Sequence, residues 1–261
     1  MKTFLFIARY IKYFITAKTR HSAQAPFVYE FITQVINTKL TNTDCLEIET
    51  LRKRLCQSEE SIQITDFGAG SHINNSKIRM IKDIAKNSAK NEKFGRLLYR
   101  IIKHYKPENI LELGTSLGIS TLYLSKGNEK SKIFTFEGCI ETAKIAKLNF
   151  EKLSANNINI TLGDFKKTLA DKLREIQNVD LAFIDGNHKE EATIKYFKQC
   201  LKYSNEKTIF IFDDIHWSKG MESAWNYIKA HERTTLTIDL FFVGVVFIRK
   251  GLSKQDFTIR F

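Results

Sequence analysis

Beyond Pro107 the chain repeats one pattern, in which short apolar runs at 109–113, 132–136, 157–161, 180–184 and 208–212 alternate with helical stretches. Uninterrupted apolar strands separated by helices belong to βαβ units, whose parallel sheet is covered on both faces. The end of the chain differs. "LTIDLFFVGVVFIRK" holds two strand-like runs with no room for a helix between them, which predicts an antiparallel pair at one edge of the sheet.

The residues before Pro107 follow another grammar. Residues 1–17 place Phe4, Ile7, Ala8, Ile11 and Ile15 on one helical face. A second helix is predicted over 27–37, opening after Pro26, and a short one over 46–56. "SIQITDF" alternates like a short strand, and 75–105 reads as helix with a break near Asn91. The chain therefore divides into a helical extension or lid over 1–106 and an α/β domain over 107–261.

Charge follows the same division. The formal net charge is +12, and residues 1–20 contribute five Lys/Arg and no acid. Residues 71–106 hold ten Lys/Arg against Asp83 and Glu92, while residues 107–261 are nearly balanced, with 22 basic and 20 acidic side chains. No segment has 18 uninterrupted apolar residues, so a membrane-spanning helix is not expected. The N-terminal stretch carries Arg9 and Lys12 and lacks a small-residue cleavage site, so it reads poorly as a signal peptide. Cys45, Cys56, Cys139 and Cys200 are scattered without a CxxC pair, as expected of reduced thiols in a cytoplasmic protein.

Two glycine-containing turns compete for a nucleotide-type ligand: "DFGAGS" at 66–71 and "LELGTSLGIS" at 111–120. A dinucleotide-type site needs a strand, a glycine turn, a helix, and a second strand ending in an acid for ribose hydroxyls. Only the second turn meets that order, because "KIFTFE" follows its helix and ends at Glu137. "DFGAGS" is followed by a long basic helix and is assigned to a lid or acceptor wall, or to a structural turn.

The run "ELGTSLG", Glu137, "LGDF" at 162–165 and "VDLAFIDG" come in one register that resembles class I S-adenosylmethionine-dependent methyltransferases. The resemblance covers about 107–250 and implies a Rossmann-like, doubly wound sheet of seven strands in the order 3-2-1-4-5-7-6, with the last strand antiparallel. It also implies that Gly114 and Gly118 let the backbone approach the cofactor. Glu112 with Thr115 and Ser116 would lie near its methionine part, Glu137 would take the ribose hydroxyls, and Asp164 would face the adenine.

"FIDGNHKE" (183–190) and "FIFDDIHW" (210–217) place Asp185, Asp213 and Asp214 at the ends of neighbouring predicted strands, where open α/β sheets bind ligands. Carboxylates converging there repel unless a cation intervenes, and an oxygen-only set suits Mg²⁺ or Ca²⁺. Alternatively, Asp185 binds the cofactor amino group while Asp213 and Asp214 cap the next helix. The constellation resembles metal-dependent small-molecule O-methyltransferases, the catechol and caffeoyl-CoA group, and also sugar O-methyltransferases of macrolide pathways. The chain departs from the catechol type in having Asp213-Asp214 for Asp-Asn and His188 where a lysine is usual. An imidazole with a pKa of about 6.5 is mostly neutral at pH 7, so His188 is either a general base or an ordinary loop residue. His216 and Trp217 either line an acceptor pocket or pack in the core.

The expected activity is methyl transfer to a hydroxyl of a small molecule, sugars and glycans included, assisted by Mg²⁺ or a similar divalent cation. Two other classes remain: a nucleic-acid methyltransferase using the basic helix 75–106, and a non-catalytic scaffold of the same fold. The position after the fourth strand reads "IDGNH" rather than an Asn-Pro-Pro-Tyr-like motif, which makes nucleic acid the weaker acceptor. The N-terminal helix docks on the domain, pairs with a second copy as a homodimer, or lies on a membrane surface.

Overall fold

The computed structural model describes residues 2–19, 25–41, 43–65, 78–87, 91–251 and 253–261. The stretch DFGAGS lies outside the described residues, and with it the lid assignment made for that turn. The chain opens with α1 (Lys2–Thr16), α2 (Pro26–Phe31, continued by a π-helical turn over Ile32–Ile36) and α3 (Leu46–Leu55). A small antiparallel hairpin joins β1 (Ser61–Gln63) to β2 (Ile78–Met80), followed by α4 (Ile81–Asn87) and α5 (Glu92–Tyr105). Within the range 75–105 predicted as helix, residues 78–80 are thus a strand, and the helix that follows is broken where expected. Asn91 starts the second piece by accepting the Phe94 N–H. Pro107 disfavours helical backbone at Lys106, which ends α5 in the left-handed conformation.

The remainder alternates as the pattern predicts. β3 (Asn109–Leu113), α6 (Ile119–Gly127), β4 (Lys132–Glu137), α7 (Ile140–Lys152), β5 (Ile158–Leu162), α8 (Phe165–Ile176) and β6 (Val179–Ile184) form the first half. Then come α9 (Glu190–Leu201), β7 (Ser204–Asp213), α10 (Lys219–Ala230), β8 (Leu236–Asp239), β9 (Val243–Phe247) and β10 (Gln255–Thr258). The sheet runs β10-β8-β9-β7-β6-β3-β4-β5, with β9 antiparallel to both neighbours. Its first seven strands keep the implied order. The eighth, β10, was not anticipated: it pairs parallel to β8 and covers the edge that the β8–β9 pair was expected to form. "QDFT" is short and polar, and only its pairing partner makes it a strand.

Strand side chains alternate between two cores. Ile110, Leu181 and Ile209 face the layer made by α2, α3, α5, α6 and α7, while Leu111, Ala182 and Phe210 face α8, α9 and α10. The first core runs without a break from Val28 and Leu97 to Leu181, so residues before 106 cover one face of the sheet.

The inner face of α1 is not the predicted one. Ile7, Ala8, Ile11 and Ile15 are exposed, and the helix instead buries Tyr13 and Ala17 with Phe6 against Phe241 and Phe242. The helix is apolar on more than one side, so its periodicity alone does not choose a face. The aromatic pair at the β8–β9 turn chooses it, together with a buried bond of 2.6 Å from the Tyr13 hydroxyl to the Ile259 carbonyl.

Four cations of the basic segment are engaged within the fold. Arg96 makes a two-pronged contact with Glu49, Lys82 pairs with Glu59, and Lys103 with Asp44. Burial pushes the Arg100 guanidinium below its ordinary value, and its Nη1 donates to the Thr38 carbonyl.

Candidate active site

The sheet changes winding direction between β3 and β6, and the crevice at that point is where doubly wound folds bind ligands. The loop after β3 turns at once. Gly114 and Thr115 both donate their N–H to the Phe136 carbonyl at 3.0 Å, and Gly118 closes the turn on Thr115. Gly114 has φ +109, and a Cβ there would meet the Asp185 carbonyl oxygen at 2.3 Å. Gly118, at φ +82, starts α6 where a Cβ would strike Phe150 at 2.4 Å. Both glycines are therefore required by the chain's own packing, whatever approaches from the cleft.

Glu137 closes β4 with its carboxylate held by two backbone donors, Ser116 N–H and Cys139 N–H, each at 2.8 Å. A carboxylate oxygen can accept two hydrogen bonds, the property that binding a vicinal diol requires. This fits the ribose role. Glu112 lies inside the fold. It is fully buried, and the Ser120, Thr121 and Thr135 hydroxyls all donate to it. Burial lifts its carboxyl to about 7, against the pull of those three hydroxyls. Thr115, also buried, bonds Thr135 at 2.6 Å, so Glu112 braces the loop from inside the fold. Asp164 caps α8 by accepting the Lys166 N–H, beside Gly163 at φ +123.

At the ends of β6 and β7, Asp185, His188 and Asp213 each offer one ligand atom, all within 4.8 Å of one another. His188 Nε2 stands 3.8 Å from an Asp185 oxygen. Asp214, expected in this set, is absent from the group. Its backbone is left-handed (φ 54), and its N–H donates to the Phe242 carbonyl at 2.6 Å. Two carboxylates and an imidazole suit a divalent ion, although the nitrogen makes the set less selective for Mg²⁺ than three carboxylates would be.

His216 and Trp217 both serve the docking of α1. Trp217 meets Phe6 edge-on at 5.9 Å. His216 Nε2 lies 2.8 Å from Asp239, its other nitrogen faces Glu222, and Arg9 reaches Glu222 at 2.6 Å. Burial disfavours the His216 imidazolium, but the Asp239 and Glu222 carboxylates outweigh it and hold the group above its ordinary value.

Residues 111–215 match a family described as a methyltransferase domain. The chain is similar to two proteins called catechol O-methyltransferase. That from Mycobacterium tuberculosis is 23% identical over 123 residues, covering 46% of this chain and 54% of the relative. That from Niastella koreensis is 26% identical over 124 residues, covering 46% and 55%. The chain thus spans about half the length of the curated relatives it matches. Two solved structures share the fold: an O-methyltransferase from Bacillus cereus in complex with S-adenosylhomocysteine and an S-adenosylhomocysteine-bound methyltransferase from Podospora anserina. The first has a TM-score of 0.54 at 20% identity over 85% of this chain and 97% of that one. The second has 0.61 at 16% identity over 86% and 98%. The resemblance read from the sequence, to class I S-adenosylmethionine-dependent O-methyltransferases, is borne out by these relatives.

Some residues that shape the site were not singled out by sequence. Asn187 has φ 53, donates to the Tyr196 hydroxyl and keeps its Oδ1 buried without a hydrogen-bond partner. The only signal was its place in "DGNH", since asparagine tolerates left-handed backbone. Thr121 and Thr135, which hold Glu112, carried no signal in the pattern. A hollow of about 350 Å³ between Glu47, Lys126 and Asn157 lies at the other end of the strands and belongs to no chemistry described here.

Proposed function

We propose that this protein transfers the methyl of S-adenosylmethionine to a hydroxyl of a small molecule, sugars and glycans included, with help from a divalent cation. The observation that carries the reading is the double position of Asp185. Its backbone carbonyl packs on Gly114 of the cofactor loop, while its carboxylate belongs to the group with His188 and Asp213. One residue thus ties the methyl-donor side of the crevice to the acceptor side.

S-adenosylmethionine supplies an electrophilic methyl, and a divalent cation lowers the pKa of a hydroxyl bound to it. The chain's own groups do the rest. Glu137, fixed by Ser116 and Cys139, would hold the ribose hydroxyls beside the turn over Gly114–Gly118. Asp185 and Asp213 would hold the cation, and His188 beside them would keep its ring lone pair for the acceptor proton instead of binding the ion. Aligning nucleophile and methyl in a closed crevice provides most of the acceleration.

The test begins with binding. S-adenosylhomocysteine raises the melting temperature of the protein, as any ligand of the native state must, and Glu137→Ala weakens that effect. No thermal shift and no calorimetric heat at millimolar ligand would overturn methyl transfer. Full turnover in EDTA would remove the cation and leave the rest.

A further inference from the structure

From Ile7 to Ile15 the exposed face of α1 carries an apolar stripe. Ile7 is 50% exposed, Ile11 52%, Phe14 47% and Ile15 75%, and their spacing puts them in one stripe. The stripe is not the product of a loosely held helix. On its opposite side α1 is anchored by the Tyr13 bond to Ile259, the Arg9–Glu222 ion pair and the contact of Phe6 with Phe241. The helix is docked, and docking leaves this side out. Contiguous apolar surface of this kind marks a contact site on a soluble fold.

The charges around the stripe point to what covers it. Lys12 flanks it, Lys18 follows its end, and the Arg260 guanidinium lies over the Phe14 ring at 4.1 Å; all three side chains are exposed. No acid occurs in residues 1–20. Two acids on neighbouring elements, Glu222 and Asp239, are turned to Arg9 and His216. Self-pairing of the stripe would bring Lys12, Lys18 and Arg260 of two copies together, so a second copy is disfavoured. Among the described residues no helix is long and apolar enough to cross a membrane, and α1 would be about 22 Å long at ordinary helical rise. An apolar stripe with a cationic rim on a short helix fits the plane of an anionic lipid–water interface.

We propose that α1 seats the protein on an anionic phospholipid surface, with Ile7, Ile11, Phe14 and Ile15 entering the headgroup layer and Lys12, Lys18 and Arg260 facing the phosphates. The helix abuts the segment that follows Asp213, through Arg9 Nη1 to the His216 carbonyl at 3.5 Å and Phe6 to Trp217. The acceptor class that fits is then a hydroxyl carried at a lipid–water interface. This last step rests on the methyl-transfer reading; the seating does not.

The experiment is vesicle sedimentation of the full chain with neither cofactor nor acceptor present, so its failure leaves methyl transfer untouched. The vesicles are phosphatidylcholine alone, or phosphatidylcholine with roughly one third phosphatidylserine. Binding is expected only with phosphatidylserine and should fall as salt is raised. Ile11→Asp with Ile15→Asp, at exposed positions that leave the melting temperature unchanged, should lower the bound fraction at least about tenfold. Lys12→Glu with Lys18→Glu should abolish the preference for phosphatidylserine. Equal recovery with both vesicles, or unchanged binding by the aspartate variant, would overturn the proposal. So would a dimer in light scattering that Ile15→Asp dissociates while vesicles are ignored.

Discussion

The carbonyl oxygen of Asp185 occupies the space in which residue 114 would carry a side chain, 2.3 Å from an ideal Cβ. The loop after β3 and the loop after β6 are therefore one mechanical unit. Gly114→Ala must either push Asp185 away or shift its own turn, and it also places alanine at φ +109, for a cost of about 1–3 kcal/mol. S-adenosylhomocysteine affinity and cation affinity should fall together, as read by calorimetry on the same sample. Loss of one with the other intact would show that the two sites are independent.

The bonds of Glu112 to three hydroxyls lead to a pH test. Burial raises this carboxyl from 4.5 to about 7 in the folded protein. A raised acid favours the folded state in its protonated form, so its contribution is fully present below 4.5 and is lost as pH rises through about 7. Glu112→Gln cannot titrate. Urea midpoints of wild type and variant should therefore change in their difference across this window, the wild type losing ground as pH rises. A difference that stays constant would contradict the burial-driven shift.

Asp213, Asp214 and His188 should separate cleanly when Mn²⁺ binding is followed by electron paramagnetic resonance beside turnover. Asp213→Ala should lose the ion, while Asp214→Ala, outside the ligand group, should keep it. His188→Gln should retain Mn²⁺ yet lower turnover by roughly 10²–10⁴-fold and flatten the pH–rate profile near neutrality. If His188→Gln loses Mn²⁺ instead, the imidazole is a ligand and the base lies elsewhere.

The Arg96–Glu49 contact, at 2.6 and 2.9 Å, bears on the nucleic-acid alternative. With Arg96, Lys82 and Lys103 paired to acids of the same fold, the basic segment should bind RNA or DNA weakly and without sequence preference. Filter binding across a salt series measures this. Tight, selective binding to one RNA at physiological salt would promote that reading.

Most of the α/β half was legible because its signals are local. A strand buried on both faces must be apolar throughout, and a strand followed by glycine, helix and acid-tipped strand leaves a fixed spacing, so β3 to β7, the turn at Gly114 and the acid at the end of β4 could be read from residues alone. The inner face of α1, the eighth strand and the membership of the ligand group could not. Ile7, Ile11 and Ile15 satisfy helical periodicity as well as Phe6, Tyr10 and Tyr13 do, and only Phe241 and Phe242 decide between them. "QDFT" has no strand character until β8 lies beside it. Asp213 and Asp214 are equivalent as neighbours in sequence, but successive side chains point to different sides. The left-handed turn at Asp214, held by Phe242, sets Asp213 beside Asp185 and His188 and leaves Asp214 out of that group. Sequence determines what depends on residues close along the chain; contacts between distant segments determined which face, edge and carboxylate are used.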